Sequence, residues 1–162
     1  ETVCAVNGVA AGAGANLALA CDMVLAAHTA RFIQAFSKIG LVPDAGGSWA
    51  LPNRVGLARA MGLALTGDPL DATEAVQWGL IWKSCPDEEL MPTATALAAN
   101  FANGPTAAYA GTKSLMRAAL SNSLGAHLDA EAQEQQKAGQ SNDYAEGVRA
   151  FLAKRPANFT GN

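Results

Sequence analysis

Strand signals end about halfway along this 162-residue chain, and helical patterns fill the remainder. Up to about residue 84, short apolar runs alternate quickly with glycine turns and runs of helix formers. The segments that follow predict four helices, at about 88–102, 106–121, 123–138 and 143–154. The sequence therefore predicts an α/β part over residues 1–84 and an all-helical region over residues 85–162.

The α/β part opens with a predicted strand, a glycine turn and a helix, at residues 2–6, 8–14 and 15–21. Further strands are predicted at 23–27, 31–36 and 80–83, helices at 48–51 and 56–65, and a loop at 37–47. Asp71 and Glu74 form a capping-box pattern that begins another helix, which Gly79 ends. This rapid succession of strands and helices is typical of an α/β fold.

Composition restricts the classes of partner. Charged residues make up 15% of the chain, against roughly 25% in an average soluble domain, which favours burial of extra surface in an oligomer. The net charge of −3 and the scattered Lys and Arg residues argue against binding of nucleic acid or an anionic membrane. Apolar runs are far shorter than the roughly 20 residues of a membrane span, and no signal peptide is recognisable, so we expect a cytoplasmic protein.

Two further features concern the chain's thiols and its extent. The cysteines, Cys4, Cys21 and Cys85, are odd in number and widely spaced among mostly apolar neighbours, so we expect reduced core thiols. The chain opens at Glu1 without Met, directly before a predicted buried strand. We therefore expect a fragment that lacks the N-terminal part of its fold.

The glycine turn at residues 8–14 is the first candidate site. Bare N–H groups near the start of a helix attract negative charge. A dinucleotide-binding fingerprint would need a third glycine where Leu17 stands, and the G-K-[ST] of a P-loop is absent. Two interpretations remain equally open from spacing alone: an anion hole of another kind, or small residues that let a helix pack closely on a strand.

Asp44 is the second candidate, a single carboxylate in the Pro/Gly loop at residues 37–47. The apolar residues around it in sequence are Phe36, Ile39, Leu41, Val42 and Trp49. Such surroundings suit a group that takes up and returns a proton. The alternative is ordinary turn or helix N-cap chemistry, which the common turn sequence Pro-Asp-x-Gly favours when the loop is considered alone.

The sequence contains no motif that supports a hydrolase site or a metal site. A nucleophile elbow would need G-x-S-x-G, and Ser48 lacks the second glycine. The only histidines, His28 and His127, have no neighbours at ligand spacing, so we expect no metal site.

Together, the two candidate segments resemble the crotonase (enoyl-CoA hydratase/isomerase) superfamily. Residues 7–22 are similar to the family pattern N-G-x-x-x-G-[GA]-G-x-x-L-x-x-x-C-D. The resemblance continues at Phe32, Gly40 to Pro43, Gly46-Gly47, Ala64 to Gly67, Ala75, Gly79-Leu80 and Glu146 to Arg155. It implies a spiral of ββα units followed by a helical C-terminal trimerisation region.

The resemblance also implies roles for individual residues. The backbone N–H of Ala13 would be one of two donors that hold the thioester oxygen as it becomes an enolate, and Phe151 and Lys154 would approach coenzyme A. Substrate-binding positions would be Val9, Gly12, Asn16, Phe36 and Trp49. Coenzyme A is part of the substrate, so no separate cofactor is expected, and the assembly would be a homotrimer or a hexamer formed as a dimer of trimers.

Departures from the family pattern narrow the expected reaction. Hydratases of the family carry glutamates at the positions of Asn16 and Phe36, and neither residue is acidic here. Asp44 stands where hydratases usually have glycine, as in certain dienoyl-CoA isomerases and aryl-CoA dehalogenases. The chain most resembles the branch that converts ring 1,2-epoxyphenylacetyl-CoA to oxepin-CoA in phenylacetate catabolism.

Three functions are therefore weighed. The first is an acyl-CoA isomerase that stabilises a thioester enolate, with Asp44 as its acid/base. The alternative enzyme is an enoyl-CoA double-bond isomerase or hydratase of fatty-acid degradation. A non-catalytic member of the family, acting as a structural or RNA-binding partner, is a third class, which the glycine turn, Asp44 and the acidic charge balance disfavour.

Overall fold

A computed structural model describes the whole chain, residues 1–162. The strands are β1 (Val3–Val6), β2 (Val9–Ala11), β3 (Met23–Ala27), β4 (Arg31–Ile33), β5 (Leu70–Asp71) and β6 (Lys83–Cys85). The helices are α1 (Ala13–Ala20), α2 (Gly47–Val55), α3 (Leu57–Thr66), α4 (Ala72–Gln77), α5 (Leu90–Ala102), α6 (Thr106–Ala118), α7 (Leu124–Gly139) and α8 (Asn142–Leu152). Two 3-10 segments, Ala35–Ile39 and Asp87–Glu89, complete the regular structure.

The strands form two three-stranded sheets, in the orders β1-β3-β6 and β2-β4-β5. β1, β3 and β6 run parallel, with Cys4 opposite Val24 and Leu25 opposite Lys83. β2 pairs parallel with β4, whereas β5 pairs antiparallel. Each successive pair of strands contributes one strand to each sheet, so the chain advances as a spiral, which confirms the predicted crotonase-like architecture of ββα units.

β3 lies at the centre of the first sheet and of the core. Four of its five residues are buried, because a strand with a parallel neighbour on each side is covered on both faces. Leu25 is 1% exposed and packs in one apolar cluster with Leu19, Leu51 and Leu80. Burying one such side chain contributes about 1.5–3 kcal/mol.

The glycine turn contains a strand that the sequence pattern did not predict. β2 spans only three residues, Val9–Ala11, which is too short for a period of two to stand out. The following helix begins at Ala13, earlier than the predicted residue 15. The predicted strand at 31–36 ends at Ile33, and the predicted loop at 37–47 opens within a 3-10 segment.

The strand predicted at residues 80–83 is wrong, because two of its apolar residues close the end of α4. Gly79 has φ 76°, and the N–H of Leu80 donates to the carbonyl of Ala75 at 2.9 Å. This left-handed closure holds Leu80 and Ile81 against the core, and the strand begins only at Lys83. At the other end of α4, the predicted cap is confirmed: the Asp71 carboxylate accepts from the N–H of Glu74 at 2.8 Å.

The chain divides into two compact units, Thr2–Leu97 and Ala98–Asn162, with Glu1 grouped with the second. The second unit contains the end of α5 and the helices α6, α7 and α8, close to their predicted positions. Its last residues run back along α8, where the buried Asp143 carboxylate accepts from the N–H groups of Thr160 and Gly161 at 2.8 and 2.9 Å.

Some surfaces of both units are left open. β1 and β2 each lie at the edge of a sheet. An apolar stripe on α8 is exposed and comprises Tyr144, Val148, Phe151 and Leu152. All three cysteines are free; Cys85 is buried, whereas Cys4 and Cys21 are only partly covered, which corrects the prediction that all are core thiols.

None of the helices combines the length and the apolar character that crossing a membrane requires. No group of three or more His, Cys, Asp or Glu side chains is placed to hold a metal ion.

Candidate active site

The corner between β2 and α1 presents backbone N–H groups at a helix start. Gly12 makes the corner with φ 52° and ψ −126°, a left-handed conformation that favours glycine. Its N–H donates to the carbonyl of Ile33 at 2.8 Å, and its carbonyl accepts from the N–H of Asn16 at 3.2 Å. The N–H groups of Ala13 and Gly14 then open the helix, where no intrahelical acceptor exists and the helix dipole favours negative charge.

Phe36 lies against this corner. Its ring is 6% exposed, and its Cζ lies 3.6 Å from the point where a Cβ on Gly12 would stand. That distance is an ordinary contact, so the conformation of Gly12, rather than a lack of space, favours glycine there. The structure thus brings two predicted substrate-binding residues, Gly12 and Phe36, next to Ala13.

Asp44 stands at the start of a tight turn that leads into α2. Ala45 and Gly46 have φ 47° and 80°, and the carbonyl of Asp44 accepts from the N–H of Gly47 at 2.8 Å. The N-cap of α2 is Gly46, and no side chain caps this helix. The Asp44 carboxylate is exposed and makes no hydrogen bond or ion pair, so the N-cap interpretation of Asp44 is wrong.

The apolar surroundings predicted for Asp44 are only partly provided. Ile39, Leu41, Val42 and Trp49 flank the turn, but each is well exposed, Val42 by 80%. The carboxylate therefore lies on an open apolar surface in this chain rather than in a closed pocket. The sequence predicts which apolar residues surround Asp44 but cannot predict what covers them.

Asn16 lies beneath the Asp44 turn. Its side chain is 1% exposed, and its Nδ2 donates to the backbone carbonyl of Asp44 at 2.9 Å. Its Oδ1 accepts from Nε2 of Gln34, again at 2.9 Å. A Cβ on Gly47 would overlap the Asn16 amide, so the turn sits directly on that side chain. Asn16 is one of the residues predicted to bind substrate, and in this structure both polar ends of its side chain bond to protein groups.

Gln34 is the residue that sequence reasoning missed. It follows β4 and is 3% exposed, although glutamine is mostly found at protein surfaces. Its partner, Asn16, lies 18 residues away along the chain and meets it only through the fold. The one signal available in the sequence was a polar residue at the end of an apolar strand.

The helix α1 is therefore connected to both parts of the candidate site, the N–H donor and the Asp44 loop. Ala13 supplies its first N–H, and Asn16, one turn later on the same side, holds the Asp44 turn. An N–H donor for a developing negative charge thus begins α1, and the loop that bears the Asp44 carboxylate is hydrogen-bonded to the same helix. This combination suits chemistry at a carbon next to a carbonyl group.

The remaining predicted residues occupy separate places. Val9 is 69% exposed on β2, beside an open groove that Leu17 also lines. In the C-terminal unit, Phe151 is exposed on α8, and Lys154 follows the helix with a left-handed φ of 51°.

Comparisons with known proteins agree with this geometry. The whole chain, residues 1–162, matches the enoyl-CoA hydratase/isomerase family. A Rhodobacter capsulatus protein described as a probable enoyl-CoA hydratase is 57% identical over 157 residues, covering 97% of this chain and 61% of its own length. The 1,2-epoxyphenylacetyl-CoA isomerase of Escherichia coli is 54% identical over 159 residues, covering 98% and 61%.

Solved structures show the same fold. The enoyl-CoA hydratase from Polaromonas sp. JS666 superposes with a TM-score of 0.94 at 35% identity, covering 98% of this chain and 62% of that structure. The chain spans about three fifths of the length of the curated relatives it matches. The family match extends over the whole chain, and the spiral of ββα units and the glycine corner at Ala13 agree with it. The chain therefore belongs to the enoyl-CoA hydratase/isomerase family.

Proposed function

We propose that the protein isomerises acyl-CoA thioesters through an enolate, with Asp44 as the acid/base. The observation that carries this proposal is the Asp44 carboxylate, which is exposed and unpaired, and whose backbone carbonyl is hydrogen-bonded to the helix that begins at Ala13. A C2 proton of a thioester is too weakly acidic to be removed near pH 7 unless the enolate is stabilised. One preorganised N–H donor typically contributes about 3 kcal/mol of such stabilisation.

The two groups would act in sequence. Asp44 would take a proton from the substrate carbon skeleton while the Ala13 N–H holds the thioester oxygen as it gains negative charge. Asp44 would then return the proton at another atom, so that the substrate is rearranged without any net loss of atoms. No separate cofactor is required, since coenzyme A is carried by the substrate.

For the acyl group, we propose ring 1,2-epoxyphenylacetyl-CoA, rearranged to oxepin-CoA in phenylacetate catabolism. The relative of that activity is 54% identical over nearly the whole chain. The exposed Trp49 offers aromatic surface to a ring, and the buried Phe36 backs the Gly12 corner. Phe151 and Lys154 would contact coenzyme A.

The alternative function is an enoyl-CoA double-bond isomerase or hydratase of fatty-acid degradation. The 57% identical relative, described as a probable hydratase, favours keeping it. Against hydration, Asn16 and Phe36 are both buried and neither can activate water as a carboxylate does. Turnover of straight-chain enoyl-CoA without turnover of the ring epoxide would select a double-bond isomerase.

Assembly into a trimer or a dimer of trimers is part of the proposal. The exposed apolar stripe on α8, which contains Val148 and Leu152, needs a covering surface. We expect the assembly in the cytoplasm, with no nucleic acid or membrane partner.

The substitution Asp44→Asn tests the proposal because it keeps the shape of the side chain and removes its proton chemistry. In the intact protein, we expect turnover of the ring epoxide to fall by at least about 100-fold, the usual scale for a positioned acid/base. Asp68→Asn, at another exposed carboxylate, is the matched control and should leave turnover unchanged. Activity of Asp44→Asn within a few-fold of wild type would remove Asp44 from the mechanism.

A further inference from the structure

We infer that Asn16 and Gln34 form a buried amide pair that positions the Asp44 turn, which makes both of them positioning residues for the reaction. This inference rests on the proposed role of Asp44 as the acid/base. It assigns a task to Gln34 and replaces the expectation that the Asn16 side chain contacts substrate. Neither residue would touch the reacting atoms; both would act through the backbone of Asp44.

The orientation of both amides follows from one fixed acceptor. The backbone carbonyl of Asp44 can only accept, so the Asn16 atom 2.9 Å from it must be the Nδ2 donor. The other side of the Asn16 amide is then Oδ1, which can only accept. Gln34 must therefore present Nε2 to it, also at 2.9 Å. Reversal of either amide would place two donors or two acceptors against each other.

The Asp44 carbonyl is held from two directions. Asn16 Nδ2 donates to it from α1, and the N–H of Gly47 donates to it across the turn at 2.8 Å. The Cα of Asp44 is bonded to this carbonyl carbon, so fixing the carbonyl restricts where the carboxylate can stand. A misplacement of about 1 Å at a catalytic group can lower the rate by about 100-fold.

The Asn16 amide packs closely against the backbone of Gly47. A Cβ on Gly47 would overlap Nδ2, Oδ1 and Cγ of Asn16, and Asn16 is 1% exposed. A glutamate, one methylene longer, has no free volume in that direction. The Asn16 side chain and the lack of a side chain at position 47 therefore fit each other in this conformation.

Gln34 carries an apparent defect that supports its role. Its Oε1 is buried and has no hydrogen-bond partner in the protein. Leaving a buried acceptor unsatisfied costs about 1–3 kcal/mol, which an apolar side chain of similar length would avoid. The Nε2 bond to Asn16 is the one interaction that such a replacement would lose.

The first test is a double-mutant cycle on the intact protein with Asn16→Asp and Asp44→Asn. At an assay pH where it is ionised, Asn16→Asp replaces the donor with an acceptor that faces the Asp44 carbonyl, so the turn should shift. We expect kcat to fall by about 10- to 100-fold, while KM stays within about 3-fold, because coenzyme A binding is untouched. Added to Asp44→Asn, the same change should lower kcat by less than about 2-fold, since no positioned carboxylate remains.

The second test compares Gln34→Glu with Gln34→Met and does not require a change at Asn16. A buried glutamate at position 34 stays protonated at low pH, where its O–H can donate to Asn16 Oδ1 as Nε2 does. As the pH rises, it ionises, loses this donor and faces Oδ1 with a negative charge. The kcat of Gln34→Glu relative to wild type should therefore fall as pH rises, whereas the ratio for Gln34→Met should stay low and flat.

The outcomes separate this inference from the proposed function. Additive effects in the cycle, or a pH-independent ratio for Gln34→Glu, would reduce the pair to ordinary core packing and overturn the inference. An active Asp44→Asn variant would overturn the proposed function itself. If Asn16→Asp does not fold, the pH profile of Gln34→Glu still decides, because that change adds no volume.

Discussion

Lys154 shows how a single residue can depart from the conformation that its side chain prefers. It follows α8 with φ 51°, where glycine is usual. The N–H of Arg155 donates to the carbonyl of Ala150 at 3.1 Å and the N–H of Lys154 to that of Phe151 at 3.2 Å, a complete left-handed closure. A non-glycine residue in this conformation costs roughly 1–2 kcal/mol. A lysine kept there is consistent with a task for its charge, such as the proposed contact with coenzyme A.

We predict opposite effects of Lys154→Gly on stability and on ligand affinity. The free energy of unfolding should rise by about 1 kcal/mol because glycine adopts this φ freely. Affinity for coenzyme A should fall several-fold because the positive charge is lost. Thermal unfolding and calorimetric titration measure the two quantities. Lys154→Met is the matched control, with weaker binding and no gain in stability; unchanged affinity in both variants would exclude a coenzyme A contact.

At the scale of elements, the sequence predicts what is encoded locally. β3 is a continuous apolar run and was predicted with its observed bounds. β2 was missed because three residues carry too little pattern, and residues 80 and 81 were placed in a strand because an apolar pair looks the same in a strand and at a helix end. In the site, the loop makes Asp44 a candidate and the family resemblance favours it as the acid/base, whereas the contact between Asn16 and Gln34 is created by the pairing of β2 with β4.

The position of the C-terminal segment along α8 depends on hydrogen bonds to Glu146. The Arg155 guanidinium, followed by the N–H of Asn158, lowers the pKa of the Glu146 carboxyl to about 2. Arg155 donates to both carboxylate oxygens, at 2.6 and 3.0 Å, and Asn158 donates to Oε1 at 3.0 Å. Because the folded pKa lies below the ordinary value of 4.5, the stabilisation is present above that value and is lost as pH falls towards 2.

We therefore predict that residues 156–162 loosen between about pH 4.5 and pH 2, before the rest of the helical unit unfolds. Amide hydrogen exchange at Asn158, whose N–H contacts Glu146, reports this opening directly. Glu146→Gln should loosen the segment already at neutral pH, because the neutral amide binds Arg155 weakly. The matched control is Glu88→Gln, which changes an exposed carboxylate outside the C-terminal unit. It should leave the segment in place. An equal protection factor at pH 7 and pH 3, taken relative to the intrinsic exchange rate at each pH, would contradict the prediction.

At the scale of the whole molecule, both units leave apolar side chains exposed to solvent. Trp49 and Val42 border Asp44, and Val148 and Leu152 extend along α8, each more than two fifths exposed. Because only 15% of its residues are charged, the chain has few charged side chains on these faces. We expect other polypeptide surfaces to cover these apolar faces. For α8, we propose that the covering surface is another copy of this protein.

Charge placed on α8 tests this assembly. The double substitution Tyr144→Glu and Leu152→Glu puts two carboxylates on the apolar stripe, where burial against a partner would desolvate them. We expect the mass measured by light scattering to drop from that of a trimer or hexamer towards a monomer, with an unchanged circular dichroism spectrum. Asn142→Glu is the matched control, since Asn142 lies away from the stripe on the same helix, and it should keep the wild-type mass. An unchanged mass in the double variant would contradict the proposed assembly through the apolar stripe of α8.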